Sequence, residues 1–186
     1  MNLLKITLLA TSVALLSLPL AAQQKRVSPH ETVSKVIGSK ADGNRITIVY
    51  GRPYSKSSKT GLTRTIWGSL IPWDEAYRLG ADESTLLITQ KALAVGTTTI
   101  PAGAYTIYLV PSLNGTSKLA FSTQLGTWGE PVDEAHDLAR VDLEKSSLES
   151  DVPQLTIKIE AAKPSGGTIK ISWEKTQFSL PFTVQK

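Results

Sequence analysis

Apolar residues return at every second position in stretch after stretch of this chain, a period that places them on one face of a β-strand. Ile46, Ile48 and Tyr50 alternate with Thr47 and Val49, and Ala139, Val141 and Leu143 with Arg140, Asp142 and Glu144. The same pattern runs through Leu155–Glu160, Ile169–Glu174 and Phe178–Val184. In Tyr105–Val110 both faces are apolar, as in a strand covered on both sides. Leu86–Gln90, Leu93–Val95 and Leu119–Ser122 read as shorter strands. Turn residues separate these runs: Asp42-Gly43-Asn44, Pro101-Ala102-Gly103, Asn114-Gly115 and Pro164-Ser165-Gly166-Gly167. Pro181 lacks a ladder donor, which assigns its run to an edge or a bulge. Val132–Leu138 is the one short helical stretch, with Asp133 near its start. The pattern predicts an all-β fold, an antiparallel β-sandwich that is jelly-roll-like, with the loop Gly51–Leu79 folded over one end.

Register can be read for the last long pair. An antiparallel hairpin of Gln154–Glu160 with Thr168–Glu174 around Pro164–Gly167 sets Ile157 opposite Trp173, Ile159 opposite Ile171 and Glu160 opposite Lys170. A two-residue slide one way would put Lys158 opposite Lys170, which is unfavourable, and a slide the other way would pair Lys158 with Glu174. A one-residue slip would turn the apolar face to water.

The N-terminus sets the compartment. Lys5 precedes the apolar run Ile6–Leu20, and small residues Ala21 and Ala22 come before polar Gln23-Gln24-Lys25-Arg26. These are the three parts of a signal peptide over residues 1–22, which predicts a secreted or periplasmic protein with no stable membrane insertion after cleavage. The run is shorter than the roughly 20 residues of a spanning helix. The remaining 23–186 has the length of a single domain. It contains no cysteine, so its core holds without disulfides, and thiol catalysis and thiolate metal sites are excluded. The formal net charge is +4 with basic residues scattered, which argues against nucleic acid as a partner.

Five separated motifs resemble one family. They are Tyr50-Gly51-Arg52-Pro53, Leu70-Ile71-Pro72-Trp73, Tyr77-Arg78-Leu79-Gly80-Ala81-Asp82-Glu83-Ser84-Thr85, Ile100-Pro101-Ala102-Gly103-Ala104-Tyr105 and Trp128-Gly129. With the Ser28-Pro29 opening and the closing Ile171-Ser172-Trp173-Glu174, they make the chain similar to the bacterial domain-of-unknown-function family 2911 over about Arg26 to Val184. The resemblance implies an exported, mostly β protein without an assigned activity. Two positions depart from the family pattern. Tyr77 stands where the family shows tryptophan, and Asp82 stands where it shows asparagine.

The stretch Tyr50–Thr85 holds most of the chemistry. It carries Tyr50, Arg52, Trp73, Arg78, Asp82 and Glu83, the residues expected to bind a ligand. Guanidinium groups grip carboxylates and phosphates bidentately, and an indole offers a flat face to a sugar. A small polar or anionic ligand, or a carbohydrate, is the expected partner. The competing expectation for Arg78 is an internal pair with Asp82 or Glu83. Lys56-Ser57-Ser58-Lys59-Thr60-Gly61 reads as the most flexible piece. Catalysis has less support. No Gly-x-Ser-x-Gly elbow occurs, and the two histidines, His30 and His136, sit in no HxH or HExxH spacing, so no metal and no cofactor are expected. The alternative to a binding module is a metal-free hydrolase or lyase using the loop carboxylates Asp74-Glu75 and Asp82-Glu83.

Overall fold

Alternation becomes strand throughout. The computed structural model describes residues 26–39 and 42–185, and the expected signal peptide lies outside them. Among the described residues the strands are β1 (His30–Ile37), β2 (Asn44–Gly51), β3 (Leu86–Thr89), β4 (Leu93–Val95), β5 (Thr98–Ile100), β6 (Gly103–Val110), β7 (Lys118–Ser122), β8 (Asp137–Asp142), β9 (Glu144–Ala162) and β10 (Gly166–Val184). Two antiparallel sheets result, of order β1-β2-β3-β6-β7-β8 and β5-β4-β10-β9. Their inner faces bury Ile46, Ile48, Ile107, Leu109 and Phe121 together with Leu155, Ile157, Ile171, Trp173 and Phe178. This is the all-β sandwich that the alternation predicts, and β6, apolar on both faces, lies inside the larger sheet. The short helical stretch is a single 3-10 turn, Glu134–His136, capped by Asp133 Oδ1, which accepts from the Ala135 N–H at 3.0 Å. Among the described residues no helix is long and apolar enough to cross a membrane.

Two details correct the expectations. The last hairpin keeps Ile157, Ile159, Ile169, Ile171 and Trp173 on the buried face, but its register is shifted by two residues. Ile157 stands opposite Ile171, Ile159 opposite Ile169 and Lys158 opposite Lys170. The like charges are relieved diagonally, because Lys170 Nζ turns to Glu160 Oε2 at 2.8 Å. Gly166 and Gly167 are strand, not turn, and leave Lys163-Pro164-Ser165 to connect the pair. The reason is a close approach. A Cβ on Gly167 would lie 2.5 Å from Phe182 Cζ and 2.8 Å from the Glu160 carbonyl oxygen.

The second correction concerns continuity. Ile169–Glu174 and Phe178–Val184 belong to one strand, β10, bent by a register shift at Glu174, whose φ is 51°. β10 lies between β4 and β9, so it is no edge strand. Pro181 is tolerated because pairing with β9 ends at Ser179 and pairing with β4 begins at Thr183.

Candidate functional site

The long segment between β2 and β3 clasps both sheets. Near its start, Ser55 N donates to the Pro153 carbonyl at 2.8 Å and the β9 residue Leu155 donates to the Pro53 carbonyl at 3.0 Å. Near its end Tyr77 and Leu109 of β6 exchange two bonds of 2.8 Å. Ile66, Ile71 and Leu79 bury their side chains completely, so hydrophobic burial anchors the segment between these ties. The stretch expected to be most flexible is a closed turn. Ser57 N donates to the Leu62 carbonyl at 2.8 Å and Gly61 N to the Ser57 carbonyl at 2.9 Å.

Most of the residues singled out in the sequence serve this scaffold. Tyr50 is buried, donates its hydroxyl to Glu31 Oε2 at 2.9 Å and accepts from the Ile157 N–H at 2.8 Å, and burial pushes its phenol pKa up. Arg52 donates Nε to the Leu155 carbonyl at 3.1 Å and Nη2 to Thr156 Oγ1 at 2.9 Å, with Glu31 Oε2 3.0 Å away. Its guanidinium therefore ties the clasp to β9. Trp73 stacks on Trp67 with centroids 6.3 Å apart, and the Lys145 ammonium lies 4.6 Å from its ring centroid. Trp128 is the indole left open, 58% exposed.

Arg78 pairs with neither Asp82 nor Glu83 through their carboxylates. Its Nη1 donates to the Asp82 backbone carbonyl at 3.1 Å and to the Trp128 carbonyl at 3.4 Å. Its Nε lies 3.5 Å from Glu130 Oε1, an ion-pair distance, yet the geometry forms no hydrogen bond and that N–H is buried without an acceptor. Leu79 and Asp82, with φ of 56° and 64°, turn the string back on itself and carry Asp82 and Glu83 to the start of β1.

There the two carboxylates meet Arg26 and His30. Arg26 forks onto Glu83, with Nη2 2.6 Å from Oε1 and Nη1 against Oε2. His30 Nε2 lies 3.2 Å from Glu83 Oε2 and 3.7 Å from Asp82 Oδ2. The Arg26 hydrogen bonds hold the Glu83 carboxyl down at about 2 from its ordinary 4.5. A carboxyl depressed in the folded state adds stability above its unfolded value and loses it as pH falls toward the folded one. Unfolding midpoints should therefore fall as pH drops from about 4.5 to about 2, and Glu83→Gln should flatten that part of the curve. Parallel curves for the two proteins would show that the fork does not form in solution.

Arg78 also borders a cavity of about 420 Å³ beneath the clasp. Lys56, Lys59, Arg64 and Arg78 line it, and Glu130 is the one carboxylate among its lining residues. Tyr54, Leu70, Tyr77 and the buried Trp173 add apolar wall, and Val27 and Ser28 of the N-terminal segment close one side. Arg64 spends its donors on the Tyr54 and Ser55 carbonyls. Among the described residues, no hydrogen bond or ion pair engages the Lys56 or Lys59 ammonium groups. Trp173 Nε1, like Arg78 Nε, is buried with no hydrogen-bond partner. The sequence reading missed Lys56, Lys59 and Arg64 because scattered cations carry no motif. Their convergence depends on the turn at Ser57–Gly61.

The class defined by these features is an antiparallel two-sheet sandwich whose longest inter-strand segment lines a cation-rich cavity. The chain belongs to the family described as a protein of unknown function (DUF2911), whose model matches residues 28–182. No curated protein and no solved structure matches the chain.

Proposed function

We propose that this protein is an exported, non-catalytic binding module that holds a small anionic ligand in the cavity under the clasp. The observation that carries the reading is the lining, four cations against one carboxylate. An incoming carboxylate or phosphate oxygen would pair with the exposed part of the Arg78 guanidinium, whose side chain is 19% exposed, and with the Lys56 and Lys59 ammonium groups. The cavity volume falls in the range of small-molecule sites. Tyr54, Tyr77 and Leu70 offer flat apolar surface beside the charges, which suits an acid carried on a sugar or another compact frame. Arg78 is the ligand contact in this reading, while Tyr50 and Arg52 brace the wall and Asp82 and Glu83 fix the N-terminal segment. The non-catalytic part rests on the lining, where Glu130 stands as a single carboxylate and not as the pair that glycoside hydrolysis uses. Export rests on the signal-peptide pattern of residues 1–22.

Thermal unfolding of the mature chain with phosphate, citrate or glucuronate, each matched in ionic strength by chloride, tests the reading. A ligand at a hundred times its Kd adds about 2.7 kcal/mol, a rise of roughly 5–10 °C for a domain of this size. If no member of the set raises the midpoint above the chloride control, the anion reading falls.

A further inference from the structure

We infer that His30, Asp82 and Glu83 form a site for a first-row divalent cation, separate from the anion cavity. The three side chains come from β1 and from the string before β3, and each offers a ligand atom within 4.8 Å of the others. Around a tetrahedral zinc ion with bonds of 2.0–2.1 Å, neighbouring ligand atoms lie about 3.3 Å apart. His30 Nε2 stands 3.2 Å from Glu83 Oε2 and 3.7 Å from Asp82 Oδ2, close to that spacing. One imidazole and two carboxylates suit Zn²⁺ or Mn²⁺, and three protein ligands leave a position open to water.

A second observation locates the centre. A single atom, Arg26 Nη1, touches all three groups: His30 Nε2 at 2.9 Å, Asp82 Oδ2 at 3.5 Å and Glu83 Oε2. The guanidinium can only donate, so in the tautomer that bonds Arg26 the His30 Nε2 presents its lone pair to that point. This is the tautomer that ligates a metal. The cluster thus already converges on positive charge, supplied by a side chain 43% exposed. Exposed ion pairs of this kind hold weakly, and a divalent ion can displace the arginine.

The test has opposite signs built in. Tag-free mature protein is titrated calorimetrically with Zn²⁺ and with Mn²⁺ at neutral pH, alongside Arg26→Ala, His30→Ala, Glu83→Gln and His136→Ala. Binding at one site per chain is expected for at least one of the ions. It should weaken at least tenfold in His30→Ala and in Glu83→Gln, and it should tighten in Arg26→Ala, where the competing cation is gone. His136 lies 3.0 Å from Asp133 and forms the obvious background pair, so His136→Ala should change nothing. Unfolding midpoints without metal establish that each variant is folded. No binding by folded Arg26→Ala protein overturns the inference, and so does binding that survives His30→Ala or disappears in His136→Ala. Anion binding is read in the absence of divalent ions, so the two proposals succeed or fail separately.

Discussion

Gly51→Ala should lower the urea midpoint sharply, by a stability loss of about 3 kcal/mol, the upper end of the usual cost of overpacking. Gly51 ends β2 where the string Arg78–Thr85 crosses it. An added Cβ would overlap the Ala81 carbonyl oxygen and lie 2.9 Å from its carbon and 3.0 Å from its nitrogen. The obstacle is backbone, so no rotamer change relieves it. Thr85 Oγ1 donates to the Leu79 carbonyl at 2.8 Å and closes the string on itself, so the string moves as a unit. Relief therefore requires the string to lift, which would move Arg78 from the cavity and Asp82 and Glu83 from His30. A midpoint equal to that of the unaltered protein would mean that the string does not pack on β2.

Trp173→Ala should cost about 3–5 kcal/mol, the range for emptying a large aromatic from a core. Its side chain is fully buried, and the Trp67 ring meets it edge-on at 6.5 Å. Because Nε1 has no hydrogen-bond partner, the loss comes from packing alone. A fall in thermal midpoint on the order of 10 °C corresponds to that range for a domain of this size. Trp173→Phe retains an aromatic ring and removes the indole N–H. It should cost far less stability. A small effect of Trp173→Ala would show that the clasp is not seated on the core.

The fold was legible wherever burial leaves a period. Ile46, Ile48 and Tyr50 alternate because one face of β2 meets the other sheet, and Tyr105–Val110 is apolar on both faces because β6 is buried on both from Tyr105 to Leu109. β1 left no such trace. Along it only Ile37 is fully buried, and Thr32, Ser34 and Lys35 look outward. Register was harder than strand identity, since a two-residue slide preserves every face and only local contacts decide it. Here the register goes with the short connection Lys163-Pro164-Ser165, with Gly166 and Gly167 taken into β10.

The candidate site was legible in part. Arg78 could be singled out because an arginine in a crowded polar string must find acceptors, but its acceptors proved to be the Asp82 and Trp128 backbone carbonyls. Tyr50 and Arg52 were visible as special residues, and nothing local revealed that β9 would take up their polar atoms. His30 could not be linked to Asp82 and Glu83 from spacing, because that meeting needs β1 beside β2 and the string folded over Gly51.

An anion that enters the cavity would sit against the Arg78 guanidinium and the Lys56 and Lys59 ammonium groups, beside the Trp173 ring. Nitrogen-resolved NMR of the mature protein during titration with glucuronate or phosphate tests this most directly. The Arg78 Nε–H and Trp173 indole N–H resonances should shift together and saturate at one ligand per chain, while the Trp128 indole stays in place. In Arg78→Gln protein the Trp173 shift should disappear or require far more ligand. Resonances of Arg78 and Trp173 that stay fixed while the salt is raised would contradict the claim.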